Sequence, residues 1–233
     1  MNATNVVINA KDSAEIASNI TANNNVNITA GNGVTFTESA NTASNQGTAV
    51  NVGIGAGTTI NVETGVAVPH VNGSVGVNKT DNASSTATGA NVAAGNDIKI
   101  NANNGDVNLH GTNLVSNNSV EVEGNKVNTS DAISSVNEKN LTVNVNGSYA
   151  SGKPDGGINA KGKNEANVTN TANTIQSDNV VITTGSPTGL SVNNTTINGN
   201  NVAYYYDDSK APAANRYIYR SHQPSYAKRR LRY

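Results

Sequence analysis

Residues 95–114 read GNDIKINANNGDVNLHGTNL. Two strand signals lie in this stretch, Ile98/Ile100 and Val107/Leu109, each a pair of apolar residues around one polar residue. Side chains alternate along a strand, so Ile98 and Ile100 face one way and Lys99 the other. Between the two signals lies NANNGD, a turn of Asn and Gly. The same phrase recurs as NNNVNITAGNGVTF at 23–36 and as SDNVVITTGSPTGLSV at 177–192. Strands of three or four residues cannot enclose a core alone. They can if each copy stacks on the next.

Working outward, strand signals also fall at Val6/Ile8, Ile16, Val26/Ile28, Val34/Phe36, Leu114, Val120/Val122 and Val127. Val6 to Val26 is 20 residues, Ile98 to Val120 is 22, and Val107 to Val127 is 20. That spacing, with two or three short strands inside it, is one coil of a parallel β-helix whose neighbours stack at roughly 4.8 Å. No helical periodicity competes over any long stretch. The expected fold is all-β: a right-handed parallel β-helix (solenoid) over 1–202, interrupted by Gly/Val-rich β-hairpin excursions at about 49–79 and 141–169. The predicted coil core is Val26, Ile28, Val34, Ile98, Ile100, Val107, Leu109, Val120, Val122, Val180 and Ile182. Asn23, Asn24, Asn103, Asn104 and Gly105 are the predicted corners. Asn and Gly accept positive φ there, and stacked Asn side chains can form hydrogen-bond ladders.

Composition suits this reading. Of 233 residues, 43 are Asn, 35% are hydrophobic and 13% are charged. An ordinary domain has roughly 45–50% and about 25%. The net charge of −1 and five Pro separate the chain from highly charged or Pro-rich disordered sequences. With no Cys, disulfides, thiol catalysis and Cys-based zinc sites are excluded. The first residues carry no basic and apolar signal-peptide pattern, and no run approaches the roughly 18 apolar residues of a membrane helix. Export of this segment would therefore rest on a larger protein.

The two excursions read as hairpins with Gly-rich or Pro-Asp-Gly-Gly turns, flanked by Ser/Thr/Asn-rich hinges. They define a longer repeat. Val26, Ile28, Thr37 and Ala40 match Val120, Val122, Thr129 and Ala132 before the excursions, and Ile98 and Ile100 match Val180 and Ile182 after them. The order of coil and flap, with AVNVGIGAG at 49–57, AAGNDIKINANNGDVNLHGTNL at 93–114 and LTVNVNGSYASG at 141–152, resembles the haemagglutinin repeat of large bacterial exoproteins. These are the filamentous haemagglutinins and contact-dependent growth inhibition effectors secreted by two-partner systems. The resemblance covers about residues 5–200. It implies a secreted or cell-surface repeat segment acting in adhesion or cell contact and in delivery of an attached toxin. The partners it implies are a host or neighbouring-cell receptor and an outer-membrane secretion partner.

Catalytic and metal constellations are absent from the sequence pattern. His70, His110 and His222 stand in separate blocks without H-x-x-x-H spacing or paired acids. GIGAG at 53–57 lacks the Lys-Ser/Thr of a phosphate loop. Asp97, Asp106 and Asp131 lack the nonapeptide calcium repeat. No catalytic residue, cofactor or metal is expected. A polysaccharide-acting β-helix enzyme is the alternative, and it wants sugar-stacking aromatics, whereas residues 1–202 hold one Tyr, Tyr149. A remnant of a broken exoprotein gene is the other. Residues 203–233 are a separate Tyr-rich tail, expected to be irregular, with seven Lys/Arg against two Asp. Nucleic-acid binding is not expected of it.

Overall fold

In a computed structural model of the chain, every regular element among the described residues is a strand. It describes residues 1–206, 217–222 and 225–230, the last two stretches as backbone. The chain divides into two compact units, Met1–Asn41, Thr86–Ser134 and Thr169–Tyr233 on one side, and Thr42–Ser85 with Ser135–Val168 on the other.

The first unit is a stack of coils. The first coil holds β1 (Asn2–Ala3), β2 (Val6–Ala10) and β3 (Ala14–Ile16); the second holds β4 (Ile20–Ala22), β5 (Val26–Ala30) and β6 (Val34–Phe36). The first hairpin, β7 (Ser39–Ile60) and β8 (Ala67–Thr88), follows. Two more coils are β9 (Asn91–Ala94), β10 (Asp97–Ala102), β11 (Val107–His110), then β12 (Asn113–Ser116), β13 (Ser119–Gly124), β14 (Val127–Ser130). The second hairpin is β15 (Ala132–Ala150) and β16 (Lys153–Thr171). The stack resumes with β17 (Asn173–Gln176), β18 (Asn179–Thr184), β19 (Leu190–Ser191), β20 (Thr195–Asn198) and β21 (Asn201–Tyr206), followed by β22 (Tyr217–His222) and β23 (Ser225–Arg230).

Like strands of successive coils pair in parallel, giving three sheets: β1-β4-β9-β12-β17-β20, β2-β5-β10-β13-β18-β21, and β3-β6-β11-β14-β19. This is a parallel β-helix with three strands per full coil. The pairing follows the periodicity: Val6 stands opposite Val26, Ile98 opposite Val120, and Val107 opposite Val127. Inward positions therefore stack on one another. Ile28, Ile100, Val122 and Ile182 form one column, and Ile20, Val92, Leu114 and Ile175 another. All are buried.

The structure differs from the sequence reading in several places. The hinges are strand: each hairpin runs from the coil edge without a break, so the excursions span Ser39–Ile60 with Ala67–Thr88 and Ala132–Ala150 with Lys153–Thr171. Ser, Asn and Gly favour turns locally, but a ladder of cross-strand hydrogen bonds overrides that preference. The second turn is Ser151-Gly152, both at positive φ, and Pro154-Asp155-Gly156-Gly157 lies inside β16. Positive φ at both central residues is what a tight two-residue hairpin loop needs. The super-repeat also slips by one residue after the core. Phe36 and Thr129 both pair with Leu109, so Phe36, not Thr37, is the counterpart of Thr129. Ala132 is buried while Ala40 is exposed. Finally, β21 continues its sheet past residue 202, with Tyr204 opposite Ile182 and its hydroxyl 2.7 Å from Thr184 Oγ1. β22 and β23 extend that sheet antiparallel. The rest of the tail lies outside the described residues.

Candidate functional site

Every predicted core residue, Val26, Ile28, Val34, Ile98, Ile100, Val107, Leu109, Val120, Val122, Val180 and Ile182, lies in the interior of the coils. The corner residues do something other than expected. Asn23, Asn24, Asn103, Asn104 and Gly105 are not among the positive-φ positions of the described residues. Their backbone groups bond between coils: Asn24 N–H donates to Thr4 O at 2.8 Å, Asn96 N–H to Asn24 O at 2.8 Å, and Asn104 N–H to Gly31 O at 3.1 Å. Gly105 is needed for approach, because a Cβ there would run into the Asn32 carbonyl of the neighbouring coil.

Side-chain ladders do form one residue past Asn24, where each coil enters its second strand. Asn5 Oδ1 accepts Asn25 N–H at 3.2 Å, and Asn25 Oδ1 accepts Asp97 N–H at 3.3 Å. Asp97 Oδ1 accepts from Asn118 Nδ2 at 2.6 Å and Ser119 Oγ at 2.8 Å. Asn201 Nδ2 donates to Asn179 Oδ1 at 3.0 Å. Residues entering a strand at equivalent coil positions face their neighbours across one strand spacing, so short amides bridge from coil to coil.

The titratable candidates are dispersed. His70 Nδ1 is 3.2 Å from Thr59 Oγ1, while His110 Nδ1 shares a hydrogen bond with Ser130 Oγ. The side chain of His222 lies outside the described residues. Asp97 belongs to the ladder above, Asp106 offers its backbone carbonyl to Val34 N–H at 3.1 Å, and Asp131 Oδ2 accepts from Asn194 Nδ2 at 3.0 Å. Among the described residues no group of three His, Asp or Glu is placed to hold a metal ion. A shallow cavity of about 380 Å³ beside Asn103, Glu123, Lys126 and Thr183 brings no pair of carboxylates together.

The second unit is a four-stranded antiparallel sheet, β16-β15-β8-β7. The two hairpins join through β8 and β15, with Val75 opposite Val145, Val77 opposite Val143, and Asp81 opposite Lys139. Alternation sorts the residues into two faces. Gln46 bonds Asp81 across β7 and β8 at 3.0 Å, so Val50 and Val52 share the face of Val75 and Val77. Lys163 Nζ meets Glu138 Oε2 at 2.6 Å on the opposite face, which leaves Ile158 and Ala160 on the valine face. Glu138, and then Glu165 at 3.0 Å, raise the Lys163 ammonium above its ordinary pKa. The valine face is uncovered, with Val50, Val52, Ile54, Val75, Val145 and Ile158 all exposed. Exposed apolar patches of this kind mark interaction sites.

Reading the sequence alone missed the buried polar groups. Asn173 is fully buried and bonds Thr112 and Ser130, and Ser116 Oγ meets Ser177 Oγ at 2.9 Å. One Asn among 43 carries no signal for such a role.

The hemagglutinin-repeat family model matches residues 71–204, from the return strand of the first hairpin to β21. Neither the curated proteins nor the solved structures give a match. The matched span covers more than half of the chain and includes the coil–hairpin–coil unit described above. The chain belongs to the hemagglutinin-repeat family.

Proposed function

We propose that this chain is a non-enzymatic segment of a secreted, cell-surface exoprotein of filamentous-haemagglutinin type, and that it acts by contact with another cell. The observation that carries the reading is the uncovered valine face of the hairpin sheet. The coils bury their own apolar residues among themselves. A solvent-facing antiparallel sheet ordinarily shows water a polar side. Here Val52, Val75, Val145 and Ile158 occupy one side instead, and a receptor on a host or neighbouring cell would cover them. Export through an outer-membrane secretion partner and delivery of an attached toxin are the wider setting that the family suggests.

The test is binding of the purified chain to washed erythrocytes and bacterial cells, read by flow cytometry. The reading expects saturable binding that falls at least tenfold in the variant Val52→Thr/Val75→Thr/Val145→Thr, with its far-ultraviolet circular dichroism unchanged. No saturable binding to any cell, or equal binding by the variant, contradicts it.

A further inference from the structure

The valine face has its own relief, and the register of the sheet sets it out in rows. Across β8 and β15, Val77 faces Val143, Val75 faces Val145, Gly73 faces Gly147 and Val71 faces Tyr149. Each strand contributes every second residue, so all of these side chains share one face. Counting back from the Ser151-Gly152 turn sets Ala160 beside Val143, Ile158 beside Val145 and Gly156 beside Gly147. One row is therefore a ridge, Val75–Val145–Ile158. The next row is a trench, Gly73–Gly147–Gly156. Val71 and Tyr149 stand up on its far side, 53% and 55% exposed.

The fold itself does not ask for glycine in the middle of that trench. Gly73 and Gly147 lie inside strands, and neither has positive φ. A Cβ on either would meet nothing nearer than a backbone oxygen of the same sheet at 3.9 Å. Glycine inside a strand weakens it, and it marks places where another backbone or a ligand comes close. No part of this chain makes that approach at Gly73 or Gly147.

A ridge beside a trench makes the face complementary to itself. A two-fold axis lying across the strands, between the two rows, turns the face onto a second copy. Val75 then lies over Gly73 of the second copy and Val145 over its Gly147, and each contact occurs twice. Val77 and Val143 meet Val71 and Tyr149 of the second copy. Sheets facing each other in this way pack about 10 Å apart with their side chains interdigitated.

Charge and area agree. From the Val77–Val143 row to the Val71–Tyr149 row the face carries no charged residue. Lys79, Asp81 and Lys139 lie nearer the hairpin roots, at the rim of the overlap. The overlap runs from Gln46 to Ala56 along β7, so it is about 37 Å long and, at four strands, about 19 Å wide. That is roughly 700 Å² in plan, near the about 800 Å² that each partner gives a standard interface. The strand ends that lead into the coils, Ser39, Thr88, Ala132 and Thr171, fall beyond the tips of the second copy, so the two sets of coils attach at opposite ends of the overlap.

We propose that the valine face pairs with the valine face of a second copy of this chain, antiparallel and two-fold symmetric, with Val145 of each copy seated over Gly147 of the other. The proposal rests on the reading above of this face as a contact surface, and it names the partner on a neighbouring cell.

The full chain is measured by sedimentation equilibrium, and the parent is expected to dimerise. Gly73→Val/Gly147→Val fills the trench. It should weaken the dimer at least tenfold, although it adds apolar area and suits a strand better; a partner drawn by apolar area alone would hold it no worse. Register is tested by charge exchange. A chain with Val145→Glu mixed with a chain with Gly147→Lys should give a mixed dimer at least tenfold above either homodimer by native mass spectrometry, and Val50→Lys in place of Gly147→Lys should not. Unchanged far-ultraviolet circular dichroism shows that each variant folds. A monomeric parent, an undiminished dimer in the trench-filled variant, or no preference for Gly147→Lys over Val50→Lys would overturn the proposal. A parent that binds cells saturably as a monomer overturns this pairing and leaves the adhesive reading. A parent that dimerises as described, while Val52→Thr/Val75→Thr/Val145→Thr binds cells as well as the parent, supports the pairing and overturns that reading.

Discussion

The side-chain oxygen of Asn173 accepts the backbone N–H of Thr112 at 2.7 Å, and both residues are fully buried. The Asn173 amide nitrogen donates to the Ser130 carbonyl at 2.9 Å. Ser130 ends the strand before the second hairpin and Asn173 begins the strand after it. One amide thus ties the exit and the return of a 19-residue strand pair to the coil between them. Ala90, which occupies the corresponding position after the first hairpin, has no side chain to do the same.

Asn173→Ala leaves the Thr112 N–H without this partner in the interior, while the Ser130 carbonyl keeps the Gly111 N–H at 2.8 Å. A buried donor stripped of its acceptor costs about 1–3 kcal/mol. Urea unfolding should show a loss in that range; a change below about 0.5 kcal/mol, the scale of an ordinary surface substitution, would mean the clamp is not needed.

Ile100 sits in the middle of the column Ile28–Ile100–Val122 and is fully buried. Ile100→Ala should cost about 2–5 kcal/mol through lost burial and the cavity left behind. Ile54→Ala, at an exposed hairpin position, should cost less than about 0.5 kcal/mol. Comparable unfolding midpoints for the two variants would place the core elsewhere.

Gly95 is a glycine of close approach. A Cβ on it would run into the Asn23 carbonyl of the coil below, a backbone atom that cannot swing aside. Gly95→Ala should destabilise by about 1–3 kcal/mol, as overpacking does. Gly47→Ala, where nothing lies within 4 Å, is the control and should leave stability near that of the parent chain.

Asp97 accepts from Asn118 and Ser119 in the corner ladder. Asp97→Ala removes both bonds and should cost about 1–2 kcal/mol by thermal unfolding. Asp97→Asn keeps the accepting oxygen and should recover most of that loss. An Asn variant as unstable as the Ala variant would show that charge, not hydrogen bonding, matters there.

Lys163 bridges Glu138 and Glu165 at an exposed site, and its pKa is raised, first by Glu138 and then by Glu165. A lysine raised on folding stabilises fully below its unfolded pKa and loses that contribution as pH climbs through the folded value. The melting-temperature difference between the parent and Lys163→Gln should therefore be flat from pH 7 to pH 9, vanish above the ordinary lysine range, and shrink with salt. A difference that grows with pH would contradict the pairing.

What could be read from the sequence was the part with two apolar residues per strand. Ile98/Ile100 and Val120/Val122 alternate and repeat, so their stacking follows from spacing. The sheet through Ile20, Val92, Leu114 and Ile175 was largely hidden because those strands bring few large apolar residues each, too few for alternation to register. Gly105 reads as a conformational corner in the sequence, since the coil that it and Gly95 must approach is invisible along the chain. Residues 39–48, SANTASNQGT, carry every local mark of a loop, and only the facing strand makes them β. The valine face was visible as alternation in both hairpins. That it belongs to a single four-stranded sheet was not, because the pairing of β8 with β15 joins segments dozens of residues apart.

The stacking of the coils is tested most directly by spin-label distances along one outward row of the β-helix. Val7, Asn27, Lys99, Glu121 and Val181 face one another in consecutive strands. Four strand spacings separate Val7 from Val181, which is about 19 Å at roughly 4.8 Å per step. Labels on Val7→Cys and Val181→Cys should give one narrow distance distribution near ~19 Å, apart from the reach of the label arms. A broad distribution, or a separation beyond about 30 Å, far outside the same strand-spacing estimate, would contradict the β-helix.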